Sequence, residues 1–70
     1  MDVEELGFKI RIYAHLLDKD ICEGHSRFES LKGELKKAIT LWHNKCSKAD
    51  KTIDWARKTL DIHDKKFSAK

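Results

Sequence analysis

The sequence predicts an all-α fold, either a three-helix bundle or a long helical hairpin. Three observations carry this prediction: proline is absent, only three of the 70 residues are glycine, and 39% are charged. These proportions suit helices joined by short turns and leave little material for the turns of a β-fold. In addition, apolar residues recur at intervals of three and four along nearly the whole chain, which is the period of amphipathic helices. We expect one helical domain over residues 1–70.

The first predicted helix covers residues 2–19. Its apolar stripe consists of Val3, Leu6, Ile10, Tyr13 and Leu17. Asp2, with Glu5 three residues later, is a suitable N-cap. The apolar pattern ends near residues 18–20, and Gly24 supplies a turn.

The second predicted helix covers residues 26–46. Ser26 and Glu29 have the spacing of a capping box that begins a helix. The stripe behind it consists of Phe28, Leu31, Leu35, Ala38, Ile39, Trp42 and Cys46. Gly33 interrupts this helix, and we interpret it as a point of close packing against the first helix or as a hinge.

The third predicted helix covers residues 48–66. Its stripe consists of Ala49, Ile53, Ala56, Leu60, His63 and Phe67. Ser47 and Asp50 have cap spacing and favour a separate helix. The alternative is one helix from 26 to 67, because the four-residue step from Trp42 to Cys46 resembles a coiled-coil stutter. His63 falls on the apolar stripe, where we expect a hydrogen-bonded core histidine.

Five large apolar residues lie off these stripes and are the predicted protein interface. They are Phe8, Ile12, Leu41, Trp55 and Ile62. A core of this size contributes only about 3–5 kcal/mol, so chains of this length often need a partner chain. We therefore expect a non-enzymatic interaction module (an adaptor, regulator or inhibitor) that binds another protein, as a homo-oligomer. No arrangement of nucleophile and base can be assembled from the spacing of its residues.

Charge is unevenly distributed along the chain. Residues 1–29 contain four Lys and Arg against seven acids, a net −3, and residues 30–70 contain eleven against five, a net +6. This asymmetry favours self-association or an acidic partner. It also supports an alternative, in which the basic half binds nucleic acid. The residues of this alternative are Lys36, Lys37, Lys45, Lys48, Lys51, Arg57, Lys58 and Lys65.

Two Cys–His pairs suggest a further alternative, a zinc-stapled dimer. Cys22 and His25 form one pair, and His43 and Cys46 form the other. Thiolate and imidazole are ligands of tetrahedral zinc, and the x2 spacing is suitable. If residues 26–46 form one helix, the pairs stand about 27–30 Å apart, so only two antiparallel copies would close the site.

Cellular location is predicted from the first residues and from overall hydropathy. The chain starts with an acidic segment and contains no long apolar run. A secretory signal has a basic start and an apolar core, and a membrane-spanning helix needs about 20 apolar residues. We expect a cytoplasmic protein with reduced thiols and no membrane association.

Overall fold

The computed structural model describes residues 2–46 and 50–68, which form three α-helices. Helix α1 is Val3–Glu23, α2 is Leu31–Lys45 and α3 is Lys51–Ser68. The all-α prediction is confirmed. Of its two forms, the three-helix arrangement is found: α2 ends at Lys45, and Cys46 has extended backbone angles of φ −144° and ψ 117°. A single long helix over 26–67 is therefore wrong.

Helix α1 begins as predicted and continues four residues beyond its predicted end. The Asp2 carboxylate accepts a hydrogen bond from the Glu4 N–H at 2.9 Å, which makes it the N-cap. The helix ends at Gly24, whose φ of 75° is the left-handed conformation that glycine adopts without steric cost. The predicted end at 19 was wrong because Asp20 is a buried residue of the helix and not a stop signal.

Helix α2 begins five residues later than predicted. The Ser26 hydroxyl does donate to the Glu29 carboxylate, at 3.2 Å, but this contact lies in a turn. The Phe28 N–H donates instead to the Asp20 carboxylate at 2.8 Å. This bond ties the turn to the end of α1, and regular helix starts only at Leu31.

Helix α3 begins three residues later than predicted, at Lys51. The Asp50 carboxylate accepts from the Thr52 N–H at 2.8 Å and so caps the helix. The predicted cap partner Ser47 and the stripe residue Ala49 lie outside the described residues.

Helix α1 is the centre of the fold. It packs against both α2 and α3, which contact each other much less. Gly7 near the start of α1 approaches Trp42 near the end of α2, so these helices are antiparallel. Asp20 near the end of α1 contacts His63 near the end of α3, so these two are parallel.

The predicted stripes supply the hydrophobic core apart from Ala14, which is buried although the predicted stripe of the first helix did not include it. The buried apolar residues are Leu6, Ile10, Ala14, Leu17, Leu35, Ala38, Ile39, Trp42, Ile53, Ala56 and Leu60. The stripe residues Val3, Tyr13, Phe28 and Cys46 are partly buried against them. None of the helices, over the residues described, is both long enough and apolar enough to cross a membrane.

Close helix packing occurs at a different glycine from the one predicted. A Cβ atom added at Gly33 would meet nothing within 4 Å, so close packing does not explain this residue. A Cβ at Gly7 would lie 3.3 Å from the Trp42 ring. The close approach of α1 and α2 is therefore made at Gly7.

Candidate functional site: an exposed apolar face and a buried aspartate–histidine pair

A buried acid–histidine pair holds the ends of α1 and α3 together. His63 Nε2 lies 3.0 Å from Asp20 Oδ2, and both side chains are at most 1% exposed. An ionised carboxylate only accepts hydrogen bonds, so Nε2 carries the hydrogen of this bond. The prediction of a hydrogen-bonded core histidine at 63 is confirmed.

The environment of Asp20 favours the ionised form of its carboxyl group. Burial acts to raise the pKa, but hydrogen bonds from His63 and from the backbone N–H groups of Phe28 and Arg27 outweigh it, and the pKa is lowered below 3.8. The pair therefore joins α1, the α1–α2 turn and α3.

This pair has a structural role in the fold. Asp20 and His63 lie out of contact with solvent, so neither reaches a molecule at the surface. Two nearby surface contacts strengthen the same end of the bundle: Lys66 Nζ donates to the Ile21 carbonyl at 3.0 Å, and Lys32 pairs with Asp64 at 3.2 Å.

Sequence reasoning missed Asp20, although a signal was present. Asp20 follows Leu17 by three residues and so continues the buried stripe of α1. An acid on an apolar stripe requires a buried partner, and His63 on the stripe of α3 was the available one.

Four of the five predicted interface residues are substantially exposed. Their exposed fractions are 66% for Phe8, 49% for Ile12, 51% for Ile62 and 45% for Leu41. Trp55 differs from the expectation that it projects away from the core. It is partly buried against the core, and its ring centroid lies 4.8 Å from that of His15.

The His15–Trp55 contact joins exposed apolar residues of two helices. On α1, Phe8, Ile12 and His15 follow one another at intervals of four and three, so they share one side of the helix. On α3, Ile62 lies seven residues after Trp55, on the same side. We name these five residues the α1–α3 face.

Basic side chains border this face along α3 and near the end of α1, whereas the acidic Asp2, Glu4 and Glu5 line an open groove with Phe8 and Ile12 at the start of α1. Lys19 follows His15 by four residues, and Lys58 lies between Trp55 and Ile62 at helical spacing. Lys51 and Lys65 continue the same row of α3 at either end, and Lys65 also pairs with Asp61 of its own helix at 3.1 Å. A partner with both acidic and basic groups around an apolar centre would complement this pattern.

Leu41 belongs to a different surface. It lies on α2 beside Lys36, Lys37 and Thr40. The structure therefore divides the predicted interface into a four-residue group on α1 and α3 and a single residue on α2.

The two Cys–His pairs lie at opposite ends of the bundle. Cys22 and His25 are at the end of α1, whereas His43 and Cys46 are at the end of the antiparallel α2, near the start of α1. Within the described part of the chain, no three His, Cys, Asp or Glu side chains lie close enough to hold a metal ion. One copy therefore does not bring these four residues together, as the sequence had indicated, and the zinc-stapled dimer stays a prediction.

The predicted nucleic-acid residues do not form one basic surface. Lys36 and Arg57 line an open groove of about 500 Å³ between α2 and α3, together with Asp61 and Asp64. Lys51 and Lys58 border the α1–α3 face instead. Lys37 lies beside Leu41, Lys45 is the last residue of α2, and Lys48 lies outside the described residues. Acidic side chains thus interrupt the basic series.

Comparison of the chain with protein-family profiles, with curated proteins and with solved structures finds no match.

Proposed function

We propose that this chain is a non-enzymatic helical interaction module that acts by binding another protein through the α1–α3 face, as a homo-oligomer. The observation that carries the proposal is the contact between His15 on α1 and Trp55 on α3. This contact connects the exposed residues Phe8 and Ile12 of α1 with the exposed Ile62 of α3.

The exposed apolar side chains of the α1–α3 face favour association, because a partner would remove them from water. Full burial of a large apolar side chain contributes about 1.5–3 kcal/mol. Phe8, Ile12 and Ile62 each keep about half or more of their surface exposed, so covering them with a partner would contribute several kcal/mol. Adjoining exposed apolar residues with a polar border are typical of protein-binding surfaces.

The rigidity of the fold supports the same proposal. The face is built on two parallel helices whose ends are fixed to each other by the buried Asp20–His63 pair. A surface held in this way loses little conformational entropy on binding.

The test compares capture of host proteins by three forms of the immobilised chain. The face variant is Phe8→Ser with Ile12→Ser, and the control is Leu41→Ser, which removes an exposed apolar residue from the other surface. We expect the same partner to be retained by the wild type and the control and lost by the face variant. The purified partner should then bind the face variant at least about tenfold more weakly, since two apolar contacts are removed.

Equal retention of all captured proteins by the wild type and the face variant would contradict the proposal. Circular dichroism of each variant establishes that the helices are intact before capture.

A further inference from the structure

We propose that a second copy of the chain binds the α1–α3 face, with the two α1 helices antiparallel and Ile12 opposite its own counterpart at a twofold axis. This inference rests on the proposed function, because it uses the same face. It assigns that face to an identical chain as long as no other protein is bound, so another protein must displace the second copy to bind there.

The charges of α1 set the register of this pairing. Glu5 lies seven residues before Ile12 and Lys19 lies seven residues after it, and both side chains are exposed. Seven residues are about two helical turns, so Glu5, Ile12 and Lys19 share one side of α1. Glu5 and Lys19 each lie about 10.5 Å from the twofold axis, measured along the helix. Antiparallel pairing places Glu5 of each copy opposite Lys19 of the other.

The apolar residues lie between these two ion pairs. Phe8, four residues before Ile12, would face the segment at His15 and Leu16 of the other copy. Trp55 packs against His15 and extends the contact onto α3. Arg11, beside this row, lines a cleft with Asp50 on the side toward α3. The arrangement thus has an apolar centre and a charged rim, as in stable interfaces.

Symmetry selects the antiparallel orientation. A twofold pairing with parallel α1 helices would place Glu5 opposite Glu5 and Lys19 opposite Lys19, which is repulsive at both ends. The antiparallel pairing is attractive at both ends and closed, since each copy uses the same surface.

The molecule is large enough to form this interface. A standard interface removes about 800 Å² from each partner. That is about one sixth of the 4952 Å² surface of the single chain, or one side of an elongated molecule of 35 × 18 × 17 Å.

The first experiment is sedimentation equilibrium of the purified full chain between about 5 and 500 μM. We expect a monomer–dimer equilibrium. Glu5→Lys and Lys19→Glu should each raise the dimer Kd about tenfold, because each reversal changes two symmetric contacts from attractive to repulsive. The double variant E5K/K19E should recover most of the lost affinity. Glu34→Lys, an equal charge change at an exposed position of α2, should leave the Kd within about twofold.

The second experiment tests the axis directly by oxidation of Ile12→Cys in a background in which both free cysteines are replaced, Cys22→Ser and Cys46→Ser. A residue on the twofold axis lies next to the same residue of the other copy, so a disulfide-linked dimer should form. Lys37→Cys, on exposed α2 in the same background, should not form one at equal concentration.

A monomer at 500 μM, a dimer indifferent to Glu5→Lys, or a double variant no better than the singles would overturn the inference. These outcomes differ from failure of the proposed function, which is decided by capture of a different protein on the α1–α3 face. A chain that stays monomeric and yet loses its partner with the face variant would refute only the antiparallel dimer.

Discussion

Replacement of Asp20 by alanine is the most informative perturbation of this fold. The Asp20 carboxylate accepts hydrogen bonds from His63 Nε2 at 3.0 Å and from the Phe28 N–H at 2.8 Å. Alanine would leave the buried His63 Nε2 and the part-buried Phe28 N–H without this acceptor. Each donor left unsatisfied costs about 1–3 kcal/mol, so the two together cost about 2–6 kcal/mol. That is comparable to the whole net stability of about 3–5 kcal/mol that a core of this size supplies.

We therefore expect Asp20→Ala to be largely unfolded at 25 °C. Asp20→Asn keeps the shape and an accepting oxygen, so we expect it to fold with a loss of about 1–3 kcal/mol. The assay is urea unfolding at pH 7, followed by circular dichroism at 222 nm. The matched control is Asp18→Ala, two residues earlier on the same helix, which should change the free energy of unfolding by no more than about 0.5 kcal/mol.

Equal urea midpoints for Asp20→Ala and Asp18→Ala would refute this reasoning. Such a result would mean that the pair is not formed in solution or that water replaces it without cost. An Asp20→Asn variant as unstable as Asp20→Ala would show that the negative charge, and not the accepting oxygen, is what the site requires.

Further predictions concern pH, glycine and zinc. Because the pKa of Asp20 is lowered below 3.8 in the fold, the unfolded chain binds its proton first as pH falls. The stability advantage of the wild type over Asp20→Asn should therefore be complete above about pH 5 and shrink as pH drops below about 4, as measured by urea unfolding. Gly33→Ala should raise the free energy of unfolding by about 0.5–1 kcal/mol, since the helix gains and nothing is displaced. Gly7→Ala should gain less or lose stability, because the Trp42 ring must move; equal gains would contradict the close approach of α1 and α2. If zinc staples an antiparallel dimer, each dimer has two four-ligand sites, so protein purified without chelator should carry about one zinc per chain and chelator should lower the Tm. Metal-free protein with an unchanged Tm would remove this hypothesis.

The sequence predicted which apolar residues of the interface are exposed, but not which of them are neighbours. The sequence indicated that Phe8, Ile12, Leu41 and Ile62 point away from the stripes, and all four are exposed. It did not indicate which of them are neighbours. That depends on α1 and α3 being adjacent and parallel, and on Trp55 turning partly inward to meet His15.

Helix type and most of the core follow from the sequence, because a spacing of three and four residues is a local property of the chain. The sequence left open whether residues 26–67 form one helix or two, and the structure shows two. Helix ends were less well predicted where a long-range contact competes with a local cap. At Phe28, the N–H is taken by Asp20, eight residues away, and the capping box of Ser26 and Glu29 does not begin the helix.

Tertiary structure decided which buried polar groups meet. Asp20 and His63 are separated by 43 residues, and no local pattern relates them. Packing also decided which side of α1 stays in water. Phe8 and Ile12 became candidate surface residues because α2 and α3 cover the other sides of α1. Side-chain periodicity is determined within a helix, whereas which surfaces remain in water is determined by how the helices pack.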